Sequence, residues 1–246
     1  MRRSQVYTIV DRWTGWLLPP RCVLCQRLGQ PPAFDLCADC EAEIPVVPDP
    51  CPRCGLPREA VCGQARDSCA RCRTLDLPYS RCVATWAYEF PVTQLVQALK
   101  YEGALANARV FGTRMVKQAS GEAGDPWWRS ALVVPMPLHP TRLVERGFNQ
   151  SHEIARVVSR QLDLDLAGHA LHRIRATAPQ VGLDRAARAG NLRGAFSADR
   201  HDVQGRHVLL VDDVVTTGST VIEAASTLRA AGAASVAVWA AARALG

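Results

Sequence analysis

Val208-Leu209-Leu210-Val211-Asp212-Asp213-Val214-Val215-Thr216-Thr217-Gly218-Ser219-Thr220 changes character twice within a few residues. The apolar run Val208 to Val211 shows no alternation, which predicts a strand covered on both faces, as in a parallel sheet. Two adjacent carboxylates follow, then a short hydroxyl-rich loop. From Ser219 the spacing turns helical, with Ile222, Ala225 and Leu228 on one side and Gly232 as the stop. The loop is therefore expected at the carboxyl edge of a sheet and at the positive end of a helix. Free N–H groups there, with the hydroxyls of Thr216, Thr217, Ser219 and Thr220, suit a phosphate monoester. Asp212 and Asp213 would repel phosphate, but acceptor-only carboxylates suit vicinal hydroxyls such as those of a ribose. The bland alternative is a strand-turn-helix unit with an acidic cap. The order of charge, hydroxyls and glycine after a buried strand favours a sugar that carries a phosphate.

Along its whole length this run resembles the phosphoribosyl pyrophosphate (PRPP) binding motif of type I phosphoribosyltransferases. The resemblance implies that Asp212 and Asp213 hold the ribose 2′ and 3′ hydroxyls and act as the catalytic pair. It assigns the 5′-phosphate to Thr216, Thr217, Gly218, Ser219 and Thr220. It also implies Mg²⁺, bound with PRPP between the pyrophosphate and the ribose hydroxyls.

The chain has 246 residues, 48% of them hydrophobic and 21% charged, ordinary for a globular protein with a real core. A net charge of +6 is compatible with a polyanionic partner, and equally with a solvated basic surface. No stretch approaches the ~20 apolar residues of a membrane span. Val6, Ile9, Val10, Trp13 and Leu17 repeat at helical spacing, which predicts an amphipathic helix over residues 1–20 rather than a secretory signal. A cytoplasmic location is expected.

Eight of the ten cysteines form Cys-x-x-Cys pairs: Cys22/Cys25, Cys37/Cys40, Cys51/Cys54 and Cys69/Cys72. Two intervening residues let both thiolates of a tight turn face one ion, and two such turns complete a tetrahedral site. Gly55 fits such a knuckle, where the chain turns its N–H groups toward sulfur. Structural zinc, worth roughly 10–16 kcal/mol of apparent binding energy, would also explain how so apolar-poor a segment folds. Disulfides, a redox pair and an iron–sulfur cluster are the competing uses of these thiols. Two sequential zinc sites are favoured over interleaved pairing. Cys62 remains an alternative ligand, and Cys82 reads as a small buried hydrophobe. A zinc-ribbon domain is expected over 21–78 and an α/β domain over 79–246.

From Cys82 the text alternates strand and helix. The strand Ala131 to Val134 opens into Pro135-Met136-Pro137-Leu138-His139-Pro140, followed by Arg142 and Arg146 ahead of a helix bearing Ile154, Val157, Val158 and Leu162. Guanidinium forks at such a place suit pyrophosphate, although solvated helix-entry charges would look alike. Arg173 to Arg193 is basic, and reads either as a flap over the sugar or as an exposed loop.

Pro135-Met136-Pro137-Leu138-His139, Arg146-Gly147-Phe148-Asn149-Gln150, Gln180, Arg185 and Asn191-Leu192-Arg193-Gly194-Ala195-Phe196 together resemble the signature of the ComF family. That resemblance implies a parallel-sheet α/β domain of the type I phosphoribosyltransferase kind behind a small cysteine-rich zinc ribbon. It also implies a link to DNA uptake in natural competence. It places Lys100, with Arg142 and Arg146, on the pyrophosphate side. The expected partners are PRPP, single-stranded DNA and other DNA-uptake proteins. The rival to an enzyme is a non-catalytic DNA-binding or scaffold protein on the same fold.

Overall fold

The computed structural model describes residues 21–29, 35–58, 68–121, 129–176 and 192–245, apart from the side chains of 119–121. The helix expected over 1–20, Cys62, Gln180, Arg185, Asn191 and most of the basic segment lie outside the described residues. The chain divides into two compact units, Met1–Ile44 and Pro45–Gly246.

In the larger unit, four parallel strands form one sheet. They are β1 (Cys82–Ala87), β2 (Leu132–Pro135), β5 (His207–Val215) and β6 (Ser235–Arg243), in the order β1-β6-β5-β2. The apolar run that predicted a doubly covered strand is β5, whose Val208 to Val211 are all fully buried. Val208 and Leu210 share a core cluster with Val221, Ala224, Ala225 and Leu228 of helix α8 (Ser219–Ala230). Gly232 lies just beyond that helix with φ +103°, as a helix stop requires.

Helices α3 (Val92–Tyr101), α4 (Leu105–Gly121) and α6 (Gln150–Leu162) supply further cover. α4 and α6 pack on each other, α4 against β1 and β6, and α6 against β2 and β5. Parallel strands buried this way lose the polar alternation that a half-exposed sheet would show.

Two features went unread in the sequence. Arg142 and Arg146 ride on a short helix of their own, α5 (Pro140–Arg146), which His139 caps and Pro140 starts. Strands β3 (Leu171–Arg173) and β4 (Phe196–Ala198) pair antiparallel as a small second sheet. Three-residue strands carry too few positions for periodicity to register. A one-turn helix, α7 (Arg200–Val203), leads into β5.

Each unit carries one four-cysteine turn system. In the smaller unit Arg21 and Leu28 pair across the Cys22–Cys25 knuckle, and Cys37 caps α1 (Ala38–Ala42). In the larger unit Pro50 and Pro57 pair across Cys51–Cys54, and Cys69 caps α2 (Ala70–Thr74).

Candidate functional site

The acidic pair does not end the strand. β5 runs through Asp212 and Asp213 to Val215, so the carboxylates spring from a hydrogen-bonded ladder rather than from a loop. Asp212 is 6% exposed and Asp213 4%. Different elements hold them. Ser151 of α6 donates from Oγ to Asp212 Oδ1 at 3.1 Å, and the Asp213 N–H donates to the same oxygen at 2.9 Å. Asp213 Oδ2 makes an ion pair with Lys100, in the last turn of α3. Burial, and then the charge of Asp213 beside it, push the Asp212 carboxyl well above its usual range; Lys100 opposes the shift. Burial works against the Lys100 ammonium as well, but the two carboxylates outweigh it and hold the group above its ordinary value.

The loop after the pair stays open. Thr216 is exposed and Thr217, Ser219 and Thr220 are half-buried. Gly218 takes φ +84° as the N-cap of α8, a left-handed conformation that a side chain would strain. Thr217 and Ser219 hydroxyls lie 3.1 Å apart, and the Ser219 N–H donates to Thr217 Oγ1 at 3.4 Å. Gly218 itself supplies no side-chain cap, so apart from the Ser219 N–H the first turn of α8 keeps N–H groups available for an anion.

The Arg-Gly-Phe-Asn-Gln run works mainly by positioning. Asn149 Oδ1 caps α6 by accepting from the N–H groups of Ser151 and His152. Its Nδ2 donates to the Met136 carbonyl at 3.0 Å, tying the cap to the loop after β2. That cap sets the start of α6 and hence the Ser151 hydroxyl that holds Asp212. Arg146 donates to Gln150 Oε1 at 2.6 Å, and its guanidinium lies 5.4 Å from the ring centre of Tyr101, which is 76% exposed. Arg142 is exposed on α5.

Lys100 is thus brought directly to the acidic pair, while Arg146 sits over its chain neighbour Tyr101. Arg173 of β3 stacks over Phe196 at 5.7 Å. Burial lowers its pKa, with Arg142 adding to the shift and Asp212 opposing it. Ser151 and Arg243 are the site residues that sequence reasoning missed, while Arg173, expected in a flap or exposed loop, lies on a strand. Arg243 ends β6 and lies 2% exposed beneath the loop.

The two cysteine sets are Cys22, Cys25, Cys37, Cys40 and Cys51, Cys54, Cys69, Cys72, the sequential grouping; in each, all four sulfurs lie within 4.8 Å of one another. The Cys25 and Cys37 sulfurs are 3.7 Å apart, and those of Cys54 and Cys69 3.8 Å. A tetrahedron with zinc–sulfur arms of about 2.3 Å has edges of about 3.8 Å, so the spacing fits one ion per set. It is far from a disulfide at about 2 Å. Burial raises the thiols of Cys22 and Cys51, but backbone N–H groups aimed at their sulfurs bring them down to about 6 and about 7. Burial, with neighbouring sulfurs adding to it, pushes Cys54 up to about 11 and raises Cys40 and Cys72 further, so these thiols give up their protons on binding the metal. Cys82, buried and pushed up to about 12 chiefly by burial, belongs to neither set.

Residues 149–244 match the family model of the phosphoribosyl transferase domain, and residues 13–73 that of the double zinc ribbon domain. The chain is 36% identical over 226 residues to the DNA utilization protein YhgH of Salmonella typhi, covering 90% of this chain and 96% of that protein. It is 29% identical over 228 residues to Competence protein F of Haemophilus influenzae, covering 91% and 97%. Among solved structures, glutamine PRPP amidotransferase from B. subtilis, complexed with ADP and GMP, aligns at 24% identity with a TM-score of 0.37. That alignment covers 55% of this chain and 26% of that one.

Proposed function

The chain belongs to the ComF family, and from that premise we propose that it binds PRPP with Mg²⁺ and serves the use of imported DNA. One observation carries the proposal. Two buried carboxylates in the C-terminal part of a central parallel strand stand just before an open, hydroxyl-lined turn at the start of α8, where the cap residue Gly218 has no side chain. The turn supplies N–H groups and hydroxyls to the 5′-phosphate, and the carboxylates accept from the ribose hydroxyls.

In ribosyl transfer the sugar gains positive charge while pyrophosphate leaves as an anion. Asp212 and Asp213 would stabilise the first, and Arg142, Arg146 and Lys100 the second. Mg²⁺ would neutralise pyrophosphate charge when bound. Lys100 has a further part to play. Paired with Asp213 before the ligand arrives, it keeps the two carboxylates from facing each other uncompensated. A reducing cytoplasm, which keeps eight clustered cysteines from pairing as disulfides, is the compartment we assign.

A second reading draws on the exposed cation–aromatic pair. Tyr101 under Arg146, with Arg142 exposed on the same helix, offers a stacking face and phosphate contacts to single-stranded DNA. The names of the relatives, DNA utilization and competence proteins, favour this partner. Calorimetry separates the two. PRPP with Mg²⁺, and then an oligonucleotide, are titrated into the native chain and the Asp212→Asn/Asp213→Asn double variant. Loss of PRPP binding with DNA binding intact supports a sugar-phosphate site beside a separate DNA face. Equal PRPP affinity in both proteins would falsify the ribose assignment.

A further inference from the structure

Arg243 is a charged residue where a strand end would more cheaply carry an apolar one. Its side chain is buried, and its hydrogen-bond partners among the described residues are carbonyl oxygens. Nε donates to the Cys54 carbonyl at 3.0 Å. Nη1 donates to the carbonyls of Val215 at 2.8 Å, of Ala244 at 3.0 Å, and of Thr216. Burying a guanidinium without a carboxylate is costly, and the structure offsets that cost with several charge-assisted bonds.

The partners lie at two functional places. Cys54 belongs to the second cysteine knuckle, whose turn is shaped by the ion its thiolates hold. Val215 and Thr216 form the base of the phosphate loop. Because a trans peptide is planar, fixing the Val215 and Thr216 carbonyls toward Arg243 aims the following N–H groups, of Thr216 and Thr217, away from it. The guanidinium is a rigid fork, so its Nε and Nη1 cannot move independently. A shift of the Cys54 carbonyl is therefore passed to the loop.

The knuckle is also pressed onto this arginine. A side-chain carbon at Gly55 would lie 3.3 Å from the Cys82 carbonyl oxygen and 3.6 Å from Arg243 Cδ. A crevice lined by Cys54, Cys72, Tyr79, Thr217, Gly218 and Arg243 separates the two features.

We infer that Arg243 is a positioning residue that couples the second cysteine cluster to the phosphate loop. Metal held by Cys51, Cys54, Cys69 and Cys72 then tunes the loop's grip on phosphate, and bound phosphate tightens the metal in return. The return effect is a thermodynamic necessity once the first exists. The phosphate half of this inference rests on the sugar-phosphate reading proposed above; the metal-to-loop half does not.

The test uses the full, zinc-loaded chain carrying Cys25→Ser, which confines the measured metal to the second cluster. Cadmium is exchanged for zinc, and the amide resonances of Thr216, Thr217 and Gly218 are followed. They are expected to shift with native Arg243 and to stay still in an Arg243→Lys chain, compared at matched zinc content and below its melting transition. In a second arm, PRPP with Mg²⁺ is expected to slow zinc extraction by a chelator roughly fivefold or more. Arg243→Lys should abolish that slowing. Amides unmoved by the exchange, or moved equally in Arg243→Lys, overturn the coupling. Amides that move in a protein that does not bind PRPP uphold the coupling and sink the sugar-phosphate reading. PRPP that binds without slowing extraction does the reverse. Both arms with native Arg243 stand even where the lysine variant fails to fold.

Discussion

The two cysteine clusters share one plan and live in different surroundings. Arg21↔Leu28 and Pro50↔Pro57 are equivalent bridges, and Cys22–Cys25 and Cys51–Cys54 equivalent knuckles, each displaced by 29 positions (50 − 21, 51 − 22). Cys22 N–H bonds to the Arg27 carbonyl as Cys51 N–H bonds to that of Leu56, both at 2.8 Å. The residue after each knuckle is left-handed, Gln26 with φ 61° and Gly55 with φ 69°. There the likeness stops. Gln26 is exposed and keeps a side chain; Gly55 abuts Cys82 and Arg243, where none fits without displacement. Three of four cysteines are buried in the second set, against one in the first. The first cluster depends on its metal. The second depends on metal, packing and Arg243 together, because it forms part of the unit that holds the sheet.

The sharpest way to break this contrast is to remove one ligand from each cluster. Cys54→Ser should lose one zinc equivalent and lower the main melting transition by about 10 °C or more, since both metal energy and packing go. Cys25→Ser should lose one equivalent and leave the main transition in place. Zinc analysis with calorimetry checks both; equal drops would erase the distinction.

Next in size is the residue after each knuckle. Gly55→Ala should cost about 1–3 kcal/mol, from left-handed strain plus contact with the Cys82 carbonyl. Gln26→Gly should cost nothing or stabilise slightly, because the backbone strain is relieved in open solvent. Chemical denaturation measures the pair.

The acidic pair belongs to the second unit, so its stability effects should appear in the main transition and spare the first cluster's metal. Asp213→Asn leaves the Lys100 ammonium largely buried without its partner and should cost about 1–3 kcal/mol. Asp212→Asn should do the opposite and stabilise by about 1 kcal/mol at neutral pH, since the amide oxygen still accepts from Ser151 and the Asp213 N–H. The sign follows from the raised pKa of Asp212. Between the unfolded and folded pKa values the native state binds more protons, so native stability falls as pH rises through that window. The advantage of the asparagine should therefore vanish toward about pH 4 and grow above it. Native affinity for PRPP should move the opposite way, rising with pH as Asp212 ionises. Melting curves and titrations across pH follow both. The smallest effect is expected at Arg27–Asp39, 3.6 Å apart and mostly exposed, where Asp39→Ala should cost less than about 0.5 kcal/mol.

Much of this was legible in the chain itself. An unbroken apolar run, two aspartates, hydroxyls and Gly218 spelled a strand, a loop and a helix because each signal is local. Cys-x-x-Cys turns are equally local, and the grouping of the sulfurs followed their order. The 29-residue displacement was readable as well, but Gln26 and Gly55 hide it by differing in kind. What could not be read is what distance in sequence conceals. Arg243 looks like the end of an alanine-rich strand, yet its partners lie 28 and 189 positions away. Ser151 passes for a helix residue until Asp212, 61 positions on, is folded against it. Arg173 reads as the start of a flap or loop rather than as strand, because its strand, β3, is three residues long.

A crystal of the full chain grown with PRPP and Mg²⁺ tests the central claim most directly. The account predicts the 5′-phosphate against the N–H groups of Gly218 to Thr220, and the ribose hydroxyls on Asp212 and Asp213. Ligand seated elsewhere, or an empty loop at saturating PRPP, contradicts it.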